Sequence, residues 1–176
     1  LAGGVVAAIA AARLVRSAEI ASRVANAVRE SDAVRVVSVT LERSAARWSQ
    51  ATVTYARADR LTGEVTTIDG IAASMAREGW KGDHVDIVRM PDGGLTSLDN
   101  RRLVAADMAG ISVQAVVHDL HDPIDPSVSW RFADRAGNAP DTWGAAVDNR
   151  IARQPAWWRD ANQFGSSTRP RMTGMR

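Results

Sequence analysis

The sequence predicts an α/β (α+β) protein: a small mixed sheet with packed helices, preceded by a long N-terminal helix and followed by a helical C-terminal segment. Three observations predict it. Apolar residues make up 45% and charged residues 24% of the 176, the balance of a chain long enough to bury a core. From residue 50 onward, stretches of two-residue alternation trade places with stretches of helical period. Glycines and prolines fall between those stretches, where the chain has to turn.

Residues 4–30 read as an Ala-rich helix, with Ile9, Leu14, Ile20, Val24 and Val28 on one stripe and Arg13, Arg16, Glu19 and Arg23 off it. SDAVRVVSVTLE alternates as a strand burying Val34, Val36 and Val39. ATVTYARA follows as a second strand, with Val53 and Tyr55 facing one way, and DRLTGEVT turns at Gly63. TTIDGIAASMAREGW is a helix: Thr67 caps it, Ile68, Ile71, Ala72 and Met75 face inward, and Gly79 supplies the left-handed stop. HVDIVRM is a strand with Val85, Ile87 and Arg89 on one side and Asp86 and Val88 on the other. PDGG turns into a short strand at Leu95–Ser97. Asp99 caps the next helix, which buries Leu103, Ala106 and either Met108 or Ala109 and ends at Gly110. ISVQAVV is a strand with Ile111, Val113, Ala115 and Val117 alternating.

Beyond HDLHDPIDP, TWGAAVDNRIARQ reads as a helix stopped at Pro155, PAWWRDANQF as another, and the tail GSSTRPRMTGMR as loosely ordered. The chain thus divides into an N-terminal helix or linker to an upstream protein (1–32), a core (33–125) and a basic helical extension (126–176).

There is no Cys, which excludes a disulfide framework and thiolate chemistry. Three His with scattered carboxylates make a poor zinc set, so neither structural zinc nor haem or flavin is expected. Net charge is +2, but residues 71–125 carry nine acids against five bases, while residues 126–176 carry eight Arg against four acids. Lys81 is the only lysine. Positive charge is therefore nearly all guanidinium, which suits bidentate phosphate contacts; an Arg-favouring codon bias produces the same letters. The first apolar run ends at Arg13, too short for a membrane span, and lacks the basic leader of a signal peptide. The missing initiator Met points to a module taken from a longer polypeptide.

The stretch MPDGGLTSLDNRRLVAADMAGI delivers Asp99, Asn100, Arg101 and Arg102 from a hairpin onto the first turn of a helix. Free amides and the positive end of the helix dipole make Asn100 and Arg101 anion contacts, and two guanidinium groups add charge. Adjacent helical residues diverge by about 100°, so one arginine reaches a ligand while the other pairs with an acid such as Asp99. An ordinary Asp cap with surface charge is the competing reading.

The pieces IAASMAREGWKGDHVDIV, MPDGG, DNRRLVAADMAGI and SVQAVV, spanning Ile68 to Val117, resemble the ParB/sulfiredoxin superfamily. The longer string through TWGAAVDNRIARQPAWWRDANQFGSS is similar to ParB-like nuclease domains at the C-terminal ends of bacterial polymorphic toxins. The resemblance implies a ParB/sulfiredoxin-like core and a phosphate site at the turn before Arg101-Arg102. It further implies secretion within a larger protein, action in the target-cell cytoplasm, and a cognate immunity protein, acidic if it covers the Arg-rich end. The chain departs from the pattern in lacking the sulfiredoxin cysteine, which excludes that chemistry. Asp99-Asn100 also stands where a Gly often precedes the arginine pair. A carboxylate so placed fits a divalent cation such as Mg2+ shared between Asp99 and the substrate.

Other residues carry two readings each. His84, beside Asp83 and Asp86, and His118, beside Asp119, are candidate general bases or edge histidines. Glu78 is a candidate acid near the site or a solvated helix end. Trp80 is a packing residue or a lid over a base. Arg150, Arg153 and Trp157 interleave charge with an aromatic ring, as single-stranded nucleic-acid surfaces do, or pack the segment on the core. The expected function is nucleic-acid cleavage by a nuclease-type hydrolase in which Asp99, Arg101, Arg102 and a histidine act on phosphate. The alternatives are a nucleotide-consuming enzyme (an ATP hydrolase or phosphotransferase) and a non-catalytic nucleotide- or DNA-binding module.

Overall fold

The computed structural model describes residues 37–59 and 62–174. The helix expected over 4–30 and the strand positions Val34 and Val36 lie outside the described residues. In chain order the strands are β1 (Val37–Leu41), β2 (Ala46–Trp48), β3 (Thr52–Thr54), β4 (Ala56–Ala58), β5 (Val65–Thr67), β6 (Val85–Arg89), β7 (Leu95–Ser97), β8 (Val113–Asp119) and β9 (Arg171–Thr173). The helices are α1 (Ile68–Glu78), α2 (Asn100–Ala109), α3 (Pro126–Ser129), α4 (Trp143–Ala152) and α5 (Ala156–Arg159), with 3-10 turns at Arg43–Ala45 and Trp130–Phe132. The fold is thus mixed α+β. Among the described residues no helix is long and apolar enough to cross a membrane.

Five strands form the main sheet in the order β1-β8-β6-β7-β2. β8 pairs antiparallel with β1 and parallel with β6, β6 pairs antiparallel with β7, and β7 pairs parallel with β2. Two-residue alternation divides the side chains between the faces. Val85 and Ile87 of β6, with Val113 and Ala115 of β8, join one core with Ile68, Ala72 and Met75 of α1 and Leu103 and Ala106 of α2. On the opposite face, Val88 joins a second core with Phe132, Trp143, Val147, Ile151 and Trp158. Each fully buried aliphatic side chain contributes about 1.5–3 kcal/mol. The segment after residue 126 is therefore half of the sandwich around the sheet.

The caps follow their chemistry. Thr67 Oγ1 accepts from Gly70 N at 3.0 Å, and Gly79 closes α1 at φ 75°. Leu103 and Ala106 of α2 are buried as expected, with Ala109 rather than Met108 packed on the first core; Val104 and Ala105 are buried too, because α1, β3 and the 43–45 turn all pack against this helix. Val53 and Tyr55 face the same core, as expected, but the strand breaks between β3 and β4 at Tyr55, whose hydroxyl donates to Asp69 at 2.7 Å. Two expectations are corrected. The helix expected over PAWWRDANQF shrinks to α5. The tail contains β9, which pairs parallel with β3.

α4 approaches the main sheet closely at Gly144. Its amide donates to Leu120 O at 2.9 Å, and a Cβ there would stand 2.7 Å from that same oxygen. Thr142 Oγ1 accepts from Ala145 N at 3.2 Å and sets the direction of the helix. That direction carries Arg150 toward the start of α2.

Candidate anion-binding site

The start of α2 is held by a buried polar network. Asn100, 2% exposed, accepts from Ser49 N at 3.1 Å and donates to Ser49 Oγ and Gln50 Oε1, both at 2.9 Å. Ser49 Oγ in turn donates to Ser97 O at 2.7 Å. Asn100 borders the cleft at the start of α2, as expected, with its side chain taken up by the fold. That amide is a strut that clamps the turn after β2 to α2, and it has no polar atom to spare. Asp99 departs from its expected role as a side-chain cap. Its Oδ2 accepts from Arg102 Nε at 2.8 Å and Nη2 at 2.6 Å instead.

The two neighbouring arginines diverge. Arg102 turns away, reaching Asp99, the carbonyls of Asp83 and His84, and the face of Trp80 at 5.6 Å. Arg101 points into a cleft of about 480 Å³, with Nη2 donating to Tyr55 O at 3.2 Å and Thr66 O at 2.9 Å. Arg57 of β4, Arg131 of the 3-10 turn and Arg150 of α4 line the same cleft, together with Gln50, Thr52, Thr54 and Asp99. Arg131 and Arg150 flank the ring of Phe132, with guanidinium carbons 5.3 and 5.4 Å from its centroid. That contact holds two like charges on one aromatic support.

Among the described residues, none of the cleft's four guanidinium groups is in an ion pair, since Asp99, its only carboxylate, is bridged to Arg102. Nε of both Arg101 and Arg150 is buried without a partner. Burial pushes the Arg150 guanidinium below its ordinary value; Asp99 opposes the shift and Arg153, Arg131 and Arg57 add to it. Burial, then Arg57, lowers Arg101 in the same direction against Asp99. Guanidinium stays charged throughout the accessible range, so the cleft concentrates positive charge that a bound anion would relieve.

No protein-family model matches the chain, and no curated protein does. The chemistry rests on the residues themselves.

The remaining candidates lie elsewhere. Glu78 is exposed and pairs with Lys81 and Arg77 at the far end of α1, which holds its carboxyl below the usual range. His84 is exposed and does not line the cleft. His118, 6% exposed, is part of β8: its Nε2 is 3.0 Å from Asp86 Oδ1, and its ring stacks on Trp143 at 3.7 Å. Trp80 packs at the edge of the first core with Arg102 over its face. Arg153 binds the carbonyls of Ala133 and Asp134, bracing the loop after the 3-10 turn. Trp157 is 73% exposed and lines a different cleft.

Among the described residues no three His, Asp or Glu gather into a metal-ligand set. Mg2+ can arrive with a substrate phosphate and take a single protein carboxylate, and Asp99 is the one at hand. Arg57 and Arg131 were missed from sequence. Their local context is that of any surface arginine, and only the tertiary fold brings them to α2.

Proposed function

We propose that this protein grips nucleic-acid phosphates in the arginine cleft and cleaves the phosphodiester there, as the nuclease-type toxin module of a larger secreted protein. One observation supports the reading above others: four guanidinium groups without carboxylate partners converge beside the first turn of α2. As a water oxygen adds to phosphorus, negative charge grows on the non-bridging oxygens, and one phosphorus–oxygen bond breaks as the leaving oxygen takes a proton. Arg101 and Arg150, fixed by carbonyls and an aromatic face, stabilise that charge without reorganising. Asp99 is the lining residue able to take the proton of the attacking water.

Arg57 gives the cleanest test, because it is exposed and its guanidinium bonds to nothing else among the described residues. Purified protein is incubated with plasmid DNA and with total RNA. The wild type degrades one of them, Arg57→Ala slows the reaction about 10- to 100-fold, and Arg101→Ala abolishes it. Intact substrates with the wild type overturn cleavage. In bacteria, the wild type arrests growth and Arg57→Ala relieves the arrest. An immunity protein for this module would present carboxylates to the cleft.

A second reading is favoured by the charge itself. Four guanidinium groups match the several negative charges of a free nucleoside polyphosphate as well as those of a strand. Loss of the ATP pool while chromosome and ribosomal RNA stay intact would select a nucleotide-consuming enzyme.

A further inference from the structure

Thr52 lines one wall of the arginine cleft. This residue also lines a second cleft, of about 450 Å³, walled by Trp157, Trp158, Asn162, Arg169 and Arg171. The adjacent tryptophans separate into two roles there. Trp158 is 6% exposed and belongs to the core, whereas Trp157 is 73% exposed on the rim. Trp157, unlike the comparably exposed Trp130, lines this cleft, so its open ring offers a flat face to a ligand seated there.

The charges of the second cleft also differ from one another. Arg169 pairs with Asp107 at 3.2 Å, but the Arg171 guanidinium has no partner among the described residues. The backbone of Arg171 is firmly placed, its amide donating to Ala51 O at 3.0 Å beside Thr52, and β9 pairs with β3. The Arg171 guanidinium and the open indole of Trp157 therefore line a cleft that adjoins the arginine cleft at Thr52.

We infer that this second cleft is the subsite for the neighbouring nucleotide of a single strand, its base stacked on Trp157 and its phosphate held by Arg171. The inference rests on the phosphate reading of the arginine cleft. It also specifies the strand, because a base can lay its face on Trp157 only when it is not paired and stacked within a duplex. Because Thr52 lines both clefts, the two adjoin, as successive nucleotides of one strand require.

The test uses the full chain and two probes: inorganic pyrophosphate for the arginine cleft alone, and a labelled single-stranded oligonucleotide about ten residues long for both clefts. Trp157→Ala weakens oligonucleotide binding roughly 5- to 150-fold, the range of base–aromatic stacking, and leaves pyrophosphate binding unchanged. Trp157→Phe restores part of the loss. Arg171→Gln lessens the salt dependence of oligonucleotide binding by about one released counterion and spares pyrophosphate. A duplex of the same sequence binds Trp157→Ala and the wild type alike. If both variants hold the oligonucleotide like the wild type while pyrophosphate binding persists, the subsite is refuted and the arginine cleft stands. If the wild type fails to bind pyrophosphate, or Arg57→Ala binds it equally well, the cleft reading falls and takes the subsite with it.

Discussion

Asn100 and Asp99 adjoin in sequence yet do opposite things: one is consumed by the fold, the other stands at the edge of a charged cleft. The three bonds of the Asn100 side chain join the β2 turn to α2 at a point shielded from water, so nothing replaces them when they are lost. Asn100→Ala is expected to lower unfolding stability by about 2–3 kcal/mol, read from urea denaturation as a shifted midpoint with an unchanged slope. A second residue-scale prediction concerns Asp92, which accepts from Arg47 at 2.6 and 2.7 Å. The Arg47 guanidinium, with help from Gly94 N, lowers its pKa to about 2. Because the folded value is the depressed one, the pair's contribution is complete above the ordinary carboxylate range and is lost as pH falls through that range toward about 2. Melting curves of the wild type and Asp92→Asn should therefore differ near neutrality and converge in acid.

The elements that sequence reveals are those whose pattern outlasts noise. α1 runs 11 residues with a cap at Thr67 and a stop at Gly79, and β6 is a mostly apolar five-residue run set between turn residues, so both are legible. β2 and β9 are three residues each, too short for alternation to register, and their pairing partners lie far away in the chain. The same distinction governs the site. The turn that presents Arg101 is local and can be read from MPDGGLTSLDNRR, and Arg150 stands out beside its tryptophans. The convergence of Arg57 and Arg131 with them depends on how α4 and the 3-10 turn dock, which no local pattern encodes. Gly144 controls that docking, because a Cβ would meet the carbonyl oxygen of Leu120 at 2.7 Å and backbone cannot step aside. Gly144→Ala should cost about 1–3 kcal/mol in thermal unfolding. By tilting α4 it should also weaken pyrophosphate binding without touching a lining residue.

Across the whole molecule, one sheet is covered on both faces, and the arginine cleft draws on both sides of the sequence, from Arg57 to Arg150. A ligand that relieves its charge stabilises the entire unit. Pyrophosphate at about a hundred times its Kd is expected to add about 2.7 kcal/mol to unfolding, several degrees in Tm. Arg57→Ala should shrink that shift, and chloride at matched ionic strength should produce little of it. Arg57 and Arg101 leave the ribosome well before Arg131, Arg150 and β9 do. A nascent chain thus carries half of the guanidinium set before the Phe132 ring and α4 that place the other half exist. The cleft proposed to hold phosphate is therefore assembled only once Arg131 and Arg150 have been made and α4 has docked beside α2.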